Sequence, residues 1–264
     1  MTARQIIERI QRQLADQGIA WRATTVDTFK AGSPDTEITG ITTTGMATLD
    51  LLQRVAPSGR NFVIAHEPTF YNHLDETKHL DADPIYQAKQ QFIAEHHLVV
   101  FRFHDHAHAL TPDPLVAGSA RMLGLTQYAS PDEPRIFVVP ETTLGALATD
   151  IARRLGARAI RVAGDPALKV KRIMLGPGSS VPALAPTFDV SIGGETNESG
   201  GNAEYVLDAT AIGQGKGLIL LGHMMSEDWG MQEVATWLKT FLADVPIEWT
   251  PAGEPFATPK AVSR

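Results

Sequence analysis

Three histidines of this sequence share a context that suits metal binding. His66, His104 and His223 each follow a short apolar run of the chain. Such runs predict buried β-strands, and residues at the carboxyl ends of the strands of a parallel sheet meet at a common edge. Because neutral imidazole is a frequent ligand of divalent cations, we expect these side chains to converge on a metal site.

Further donors stand at ligand-like spacing from these histidines. His108 follows His104 by four residues, and Glu227 follows His223 by four, so each pair shares a face if the chain turns helically there. Together the donors exceed the needs of one ion, whereas two ions about 3.5–4 Å apart would use them. We therefore predict a dinuclear centre of divalent ions with the ligands His66, His104, His108, His223 and Glu227.

Two acidic residues directly follow predicted ligands. Glu67 comes after His66, and Asp105 comes after His104. Both are candidate proton shuttles of a catalytic site. Each could instead bind a metal ion or accept a hydrogen bond that orients an imidazole, and the sequence leaves these alternatives open.

The other histidines carry a weaker signal. Surface or hydrogen-bonded roles are the simplest interpretation of His73, His79, His96 and His97, and His106 stays unassigned. His96 and His97 end a predicted helix, where a cationic side chain interacts favourably with the helix dipole.

Composition narrows the chemistry and the partners. The chain of 264 residues contains no cysteine, which excludes disulfides, thiolate zinc sites and iron–sulfur clusters, so a metal must be bound through nitrogen and oxygen. The net charge of -7 argues against nucleic acid and anionic membrane as partners. The sequence has neither a signal-peptide pattern nor an apolar stretch of membrane-spanning length. We therefore expect a cytoplasmic protein.

The elements that must position these residues alternate between short apolar runs and amphipathic helical patterns. Thr2 caps a first helix with an apolar stripe, and Gly18 ends it. The predicted strands are Ile38–Thr43, Asn61–Ala65, Leu98–Phe103, Ile136–Val139, Ala159–Val162, Val170–Leu175, Leu218–Leu221 and Ile247–Thr250. The predicted later helices include Ala47–Val55, Ile85–His96, Thr142–Leu155, Asn202–Ile212 and Trp229–Leu242. This alternation indicates an α/β fold with one mainly parallel sheet or two.

Several segments of the chain resemble the motifs of one known family. Ala65–Tyr71 resembles the segment with a His-His-Pro core in the NIF-three-like dinuclear metal-centre proteins, which are also labelled GTP cyclohydrolase type-two-like. His104–His108 resembles that family's His-x-x-x-Asp segment, and Gly222–Glu227 resembles its Gly-His-x-x-x-Glu motif, the most specific of the three. Gly194-Glu195 resembles a Gly-Glu pair of the family. The order of the motifs and their strand contexts agree over nearly the whole chain.

The resemblance implies a NIF-three-like fold of two similar α/β subdomains with mainly parallel sheets. We place the first subdomain at residues 1–128 with 229–264 and the second at residues 129–228. The family implies a homohexameric ring whose metal sites face an inner cavity, with zinc, manganese, iron or nickel as the ions. Two positions depart from the family pattern, because Glu67 stands for a histidine and His108 for an aspartate. This exchange keeps a dinuclear site and alters its geometry and metal preference.

Two functions remain open at this point. The first is a metal-dependent hydrolase that acts on a nucleotide or phosphoester-like small molecule, by resemblance to the GTP cyclohydrolase type-two-like proteins. The alternative is a non-catalytic assembly that stores, delivers or senses metal. The absence of a recognisable nucleophile motif favours the alternative, whereas the surplus of metal donors fits both.

Overall fold

A computed structural model describes residues 1–157, 159–179 and 185–257 of the chain. It contains two compact units, Met1–Leu115 with Asp228–Ala252 and Val116–Glu227 with Gly253–Arg264. Each unit contains one five-stranded sheet. The predicted α/β class with mainly parallel sheets is therefore confirmed. The subdomain boundaries expected after residues 128 and 228 stay a prediction.

The regular elements follow one another in the alternating order expected from the sequence. The helices are α1 (Ala3–Asp16), α2 (Leu49–Val55), α3 (Pro84–Glu95), α4 (Pro114–Met122), α5 (Leu144–Leu155), α6 (Asn202–Ala211) and α7 (His223–Lys239). The strands are β1 (Phe29–Ala31), β2 (Ile41–Thr44), β3 (Phe62–Ala65), β4 (Val99–Arg102), β5 (Ile136–Thr143), β6 (Arg161–Ala163), β7 (Lys169–Gly176), β8 (Val190–Gly193), β9 (Gly217–Leu220) and β10 (Ile247–Trp249).

Helix α1 shows how local sequence determines an element of the first unit. The side chain of Thr2 accepts a hydrogen bond from the backbone N–H of Gln5, and the Gln5 side chain accepts one from the backbone N–H of Thr2. This reciprocal pair satisfies two donors that the helix end would leave without partners. The apolar stripe that predicted the helix is buried and consists of Ile6, Ile7, Ile10 and Leu14.

The sheet of the first unit has the strand order β1-β4-β3-β2-β10. Strand β1 is antiparallel to β4, and the other neighbours are parallel. The central strands are buried along their whole length, as expected when helices cover both faces of a parallel sheet. Alternate residues of these strands belong to two different apolar clusters, one that includes α1 and one that includes α2.

The sheet of the second unit has the order β5-β7-β8-β9-β6. Strands β7, β8 and β9 are parallel, and the edge strands β5 and β6 pair in the antiparallel sense. Leu144 and Ile151 of α5 pack in one apolar cluster, and Val206 of α6 belongs to another.

One expectation about the elements is corrected. The helix predicted at Trp229–Leu242 begins six residues earlier, at His223. Its first turn closes with a hydrogen bond from the N–H of Ser226 to the carbonyl of Gly222 at 3.0 Å, and the mixture of polar and apolar residues there hides the helical period. Strand β1 was not predicted, because it has only three residues and follows a polar stretch.

None of the helices in the described part of the chain is both long and apolar enough to cross a membrane.

Candidate metal centre

Two neighbouring parallel strands of the first unit deliver the predicted ligands to one edge of the sheet. Ala65 at the end of β3 pairs with Arg102 at the end of β4. The N–H of Phe103 continues this ladder with a hydrogen bond to the carbonyl of Ala65 at 2.8 Å. His66 and His104 follow these strand ends directly, so the sheet register brings them to the same level.

Three imidazoles meet at this edge. The ring centroids of His66 and His104 lie 4.5 Å apart, and that of His108 lies 5.0 Å from each of them. The N–H of His108 donates to the carbonyl of His104 at 3.1 Å, which is the helical turn predicted for this pair. One nitrogen from each ring lies within 4.8 Å of the others, so the three residues form a group that can hold a metal ion.

The Nδ1 atom of every ring in this group contacts an oxygen acceptor. Nδ1 of His66 lies 3.2 Å from the carbonyl of Phe103, Nδ1 of His104 lies 2.9 Å from Asp105, and Nδ1 of His108 lies 3.0 Å from Asp113. In a neutral ring the Nδ1 atom is then the donor, and Nε2 carries the lone pair. Such outer contacts fix the tautomer and the orientation of metal-binding histidines.

Burial keeps two of the rings neutral. It lowers the pKa of His66 well below 6.5 and that of His104 below the same ordinary value. The neighbouring imidazoles act in the same direction, because like charges disfavour protonation. A neutral imidazole is the form that binds a cation, so His66 and His104 have the required protonation state at neutral pH.

Glu67 faces the Nε2 side of the group. Its Oε1 atom lies 3.9 Å from Nε2 of His66 and 4.0 Å from Nε2 of His104. The N–H of Glu67 donates to the carbonyl of Gly45 at 2.8 Å, which ties its backbone to the end of β2. The carboxylate is therefore in a position to add an oxygen donor or a proton acceptor beside two imidazoles.

Asp105 lies on the opposite side of the His104 ring. Its carboxylate contacts Nδ1 of that ring and accepts hydrogen bonds from Oγ1 of Thr25 at 2.8 Å and from the N–H of Val26 at 3.3 Å. Burial raises the pKa of Asp105, but the hydrogen bonds from His104, Thr25 and Val26 outweigh it and lower the pKa to about 2. Asp105 is ionised at neutral pH and faces the Nδ1 side, away from the ring's lone pair.

The remaining histidines of this region have other surroundings. His106 is fully buried, and its ring contacts Asp27 through Nδ1 and Arg22 through Nε2. His73 is exposed and has its ring centroid 5.8 Å from that of His104. Nδ1 of His96 contacts the carbonyl of Phe92 at 3.0 Å at the end of α3.

The second unit contains the other two predicted ligands. His223 and Glu227 lie one turn apart at the start of α7, where Nε2 of the imidazole is 3.1 Å from Oε2 of the carboxylate. Nδ1 of His223 contacts Oε1 of Glu195 at 2.8 Å. The predicted i, i+4 pairing is present, and Glu195 has the same relation to His223 that Asp105 has to His104.

Two glycines leave the space that the side chains of His223 and Glu227 occupy. Gly178 has a φ of +70°, and a Cβ atom there would lie 2.0 Å from Oε1 of Glu227 and 3.3 Å from Nε2 of His223. A Cβ atom at Gly194 would lie 2.3 Å from the carbonyl of Gly178 and 2.6 Å from Oγ of Ser226. Only glycine allows this close approach of the backbone.

Sequence reasoning missed the acceptors that orient the rings. Asp113 lies five residues after its partner His108, and no motif of the sequence singled it out. Glu195 was noted only as part of the Gly-Glu pair. Asp27, which contacts the turn at residues 104–106, lies 77 positions before His104 and has no local signal.

The donor set fits a divalent cation. Neutral imidazoles with Nε2 as the lone-pair atom, together with carboxylates, suit zinc, iron, manganese and nickel. The chain is thus an α/β protein with a group of histidines that could hold a metal ion.

The chain belongs to the DUF34/NIF3 (NGG1p interacting factor 3) family, whose model matches residues 1–252. This confirms the resemblance seen in the three motifs. A search of the curated proteins found no match.

Solved structures with the same fold cover nearly the whole chain. The Staphylococcus aureus protein SA1388 has a TM-score of 0.72 and 20% identity, with 96% of this chain and 98% of that chain covered. A Bacillus cereus protein related to NIF3 has a TM-score of 0.71 and 12% identity, with 98% and 99% covered. Reduced HcgD from Methanocaldococcus jannaschii has a TM-score of 0.63 and 16% identity, with 94% and 97% covered. At these identities the likeness confirms the NIF3-like fold.

Proposed function

We propose that this protein binds two divalent metal ions per chain and acts as a metal-dependent hydrolase on a nucleotide or phosphoester-like small molecule. The observation that carries the proposal is the group of three imidazoles in the first unit. Each ring has its Nδ1 against an oxygen acceptor, so Nε2 is the atom that can bind a cation. This arrangement is the usual one for metal-binding histidines.

We assign one ion to His66, His104 and His108 of the first unit and the other to His223 and Glu227 of the second unit. The ions would be zinc, manganese, iron or nickel, because the ligands are nitrogen and oxygen atoms. Divalent ions at such sites act as Lewis acids and activate water near neutral pH.

The two acidic candidates receive different roles. Glu67 lies about 4 Å from two Nε2 atoms, so it is the proposed proton shuttle or an additional ligand. Asp105 contacts Nδ1 of His104, so its proposed role is to orient that ring rather than to move a proton of the substrate.

We also propose that the protein forms a homohexameric ring in the cytoplasm. The support is its membership of the DUF34/NIF3 family and the family pattern that its motifs resemble. Light scattering on the purified protein tests the stoichiometry, because six copies of a 28.6 kDa chain differ clearly in mass from two or three.

Metal content and turnover together test the hydrolase. Protein purified without a histidine tag is analysed for metal, and its turnover of a panel of nucleotides and phosphoesters is compared with that of the variants H104A and H79A. His79 is exposed and stands outside the donor groups, so H79A is the control. We expect two ions per chain in the wild type and a loss of turnover of at least ~100-fold in H104A alone.

The outcomes separate the two functions. Equal turnover in the wild type and H104A would reject the hydrolase. Exchangeable metal without turnover of any compound would support the alternative, a protein that stores, delivers or senses metal.

A further inference from the structure

Asp27 is a buried carboxylate that holds three consecutive backbone N–H groups of the metal-site turn. Its Oδ1 atom accepts hydrogen bonds from the N–H groups of His104 at 2.7 Å and Asp105 at 2.9 Å. Its Oδ2 atom accepts one from the N–H of His106 at 2.9 Å. The residue is 2% exposed, so these charge-assisted bonds are largely protected from water and are stronger than neutral ones.

The ring of His106 adds a second connection to the same carboxylate. Its Nδ1 atom donates to Oδ2 of Asp27 at 2.6 Å, and its Nε2 atom accepts from the N–H of Arg22 at 3.0 Å. The ring also stacks on Trp21 with parallel planes and a centroid distance of 3.8 Å. Both ring nitrogens of His106 therefore have hydrogen-bond partners, and one face of the ring is covered by Trp21. These contacts explain why this histidine, although it lies between His104 and His108, is not among the proposed metal ligands.

The segment that contains Asp27 also contacts the orienting residue Asp105. Thr25 and Val26 both donate to Oδ2 of Asp105, whose Oδ1 atom contacts Nδ1 of His104. The segment from Trp21 to Asp27 therefore contacts both the backbone of the turn and the carboxylate that orients one of its imidazoles.

We propose that Asp27 is a positioning residue, which preforms the turn at residues 104–108 so that His104 and His108 face His66 before a metal binds. Asp27 holds the N–H of His104, and the carbonyl of His104 accepts the N–H of His108. The carboxylate of Asp27 thus determines the backbone positions from which the His104 and His108 side chains extend. This inference rests on the proposed metal site, although its structural part can be tested separately.

Cobalt binding to D27N tests the effect on the metal site. The asparagine side chain keeps one oxygen acceptor and replaces the other oxygen of Asp27 by an NH₂ group. Each oxygen of Asp27 accepts two hydrogen bonds, so the NH₂ group would face two donors and the turn must rearrange. We expect the Kd for Co²⁺ to rise at least ~10-fold, as for other outer residues of metal sites. We also expect a changed Co²⁺ absorption spectrum, because the geometry of the donor set changes.

The matched control is D83A. Asp83 also accepts two backbone N–H groups, those of Ile85 and Tyr86, but it does so at the start of α3. D83A should lower the thermal stability and leave the Kd and the Co²⁺ spectrum unchanged. A folded D27N protein with the Kd and spectrum of the wild type would overturn the proposal.

If D27N does not fold, amide hydrogen exchange on the wild type tests whether the turn is formed before a metal binds. The proposal expects slow exchange of the N–H groups of residues 104–106 in the metal-free protein. Fast exchange that becomes slow only after metal addition would overturn it, because the metal would then form the turn. If the wild type binds no Co²⁺, the proposed function fails, and the exchange result still shows whether Asp27 holds the turn.

Discussion

The Nε atom of Arg102 donates a hydrogen bond to the carbonyl oxygen of His66 at 3.0 Å, so a fully buried guanidinium holds the backbone of a proposed metal ligand. Its Nη1 atom donates to the carbonyl of His73 and lies 3.8 Å from Asp75, and its Nη2 atom lies 3.8 Å from Glu67. The loop that follows β3 is thus held at several points by the buried guanidinium of Arg102.

Replacement of Arg102 by methionine should destabilise the first unit strongly. R102M keeps much of the side-chain volume and removes the buried positive charge beside Glu67, whereas Asp75 keeps its ion pair with Lys30 at 3.1 Å. Loss of one partner of a buried ion pair costs about 3–5 kcal/mol, measured as the free energy of unfolding in urea. The control R54M removes an exposed partner of Asp50, which costs about 1 kcal/mol or less. Similar losses in both variants would contradict the prediction.

A side chain at Gly178 should disturb the donor pair of the second unit. In G178A the Cβ atom would lie 2.0 Å from Oε1 of Glu227, and the φ of +70° is unfavourable for alanine. Gly213 has nearly the same φ, +73°, but no atom within 4 Å of a Cβ atom there. We therefore expect G213A to cost about 1–2 kcal/mol from the backbone alone.

We expect G178A to cost more than G213A and to lose metal as well. Urea unfolding and elemental analysis of the two variants measure the difference. Equal stability and equal metal content would show that Glu227 can move aside without consequence.

The arrangement of the fold was predictable wherever the chain carries local periodicity. The stripe of α1 and the apolar runs of β3 and β4 each have enough residues to show their period. Strand β1 has three residues, and its pairing with β4 depends on partners about 70 positions away, such as Phe29 with Phe101. Such an element is determined by tertiary pairing, so its own sequence has no clear signal.

The candidate site was predictable at the ligands and not at the residues that orient them. Histidines that follow strands stand out because the strand ends predict a common edge. The acceptors Asp27 and Glu195 come from segments that approach the rings only after folding, 77 positions from His104 and 28 positions from His223. The spacing of residues along the chain does not indicate contacts between segments that are distant in the sequence.

The metal-free protein should lose stability as the pH falls below 6.5. Burial lowers the pKa of His66 well below 6.5 in the folded state, whereas the unfolded chain has the ordinary value. Below pH 6.5 the unfolded state therefore binds a proton that the folded state does not, and the free energy of unfolding decreases by up to about 1.4 kcal/mol per pH unit. The lowered pKa of His104 adds to the slope in the same direction.

Urea unfolding of the wild type, H66Q and H79Q in EDTA at pH 7.5, 6.5 and 5.5 measures this slope. H66Q should have a shallower slope than the wild type, and H79Q, which replaces an exposed histidine, should retain the full slope. An unchanged slope in H66Q would mean that His66 becomes protonated in the folded protein as readily as in the unfolded chain.

Lys89 should make the protein more stable as the pH rises from 8 to 10. Burial lowers the pKa of its amine to about 8, and the attraction of Asp75 compensates only in part. The Nζ atom of Lys89 donates a hydrogen bond to the carbonyl of Thr69 at 2.6 Å, and the residue is 3% exposed. Between pH 8 and 10.5 the unfolded chain holds a proton that the folded protein has released, so the free energy of unfolding rises with pH.

The variant K89M isolates this contribution. Across the full window the wild type should gain roughly 3 kcal/mol relative to K89M, because each pKa unit corresponds to about 1.4 kcal/mol. The control K169M removes an exposed lysine whose pKa is raised by a hydrogen bond with Glu141, so its linkage has the opposite sign. Parallel stability curves for the wild type and K89M between pH 8 and 10 would show that the buried amine keeps its proton throughout.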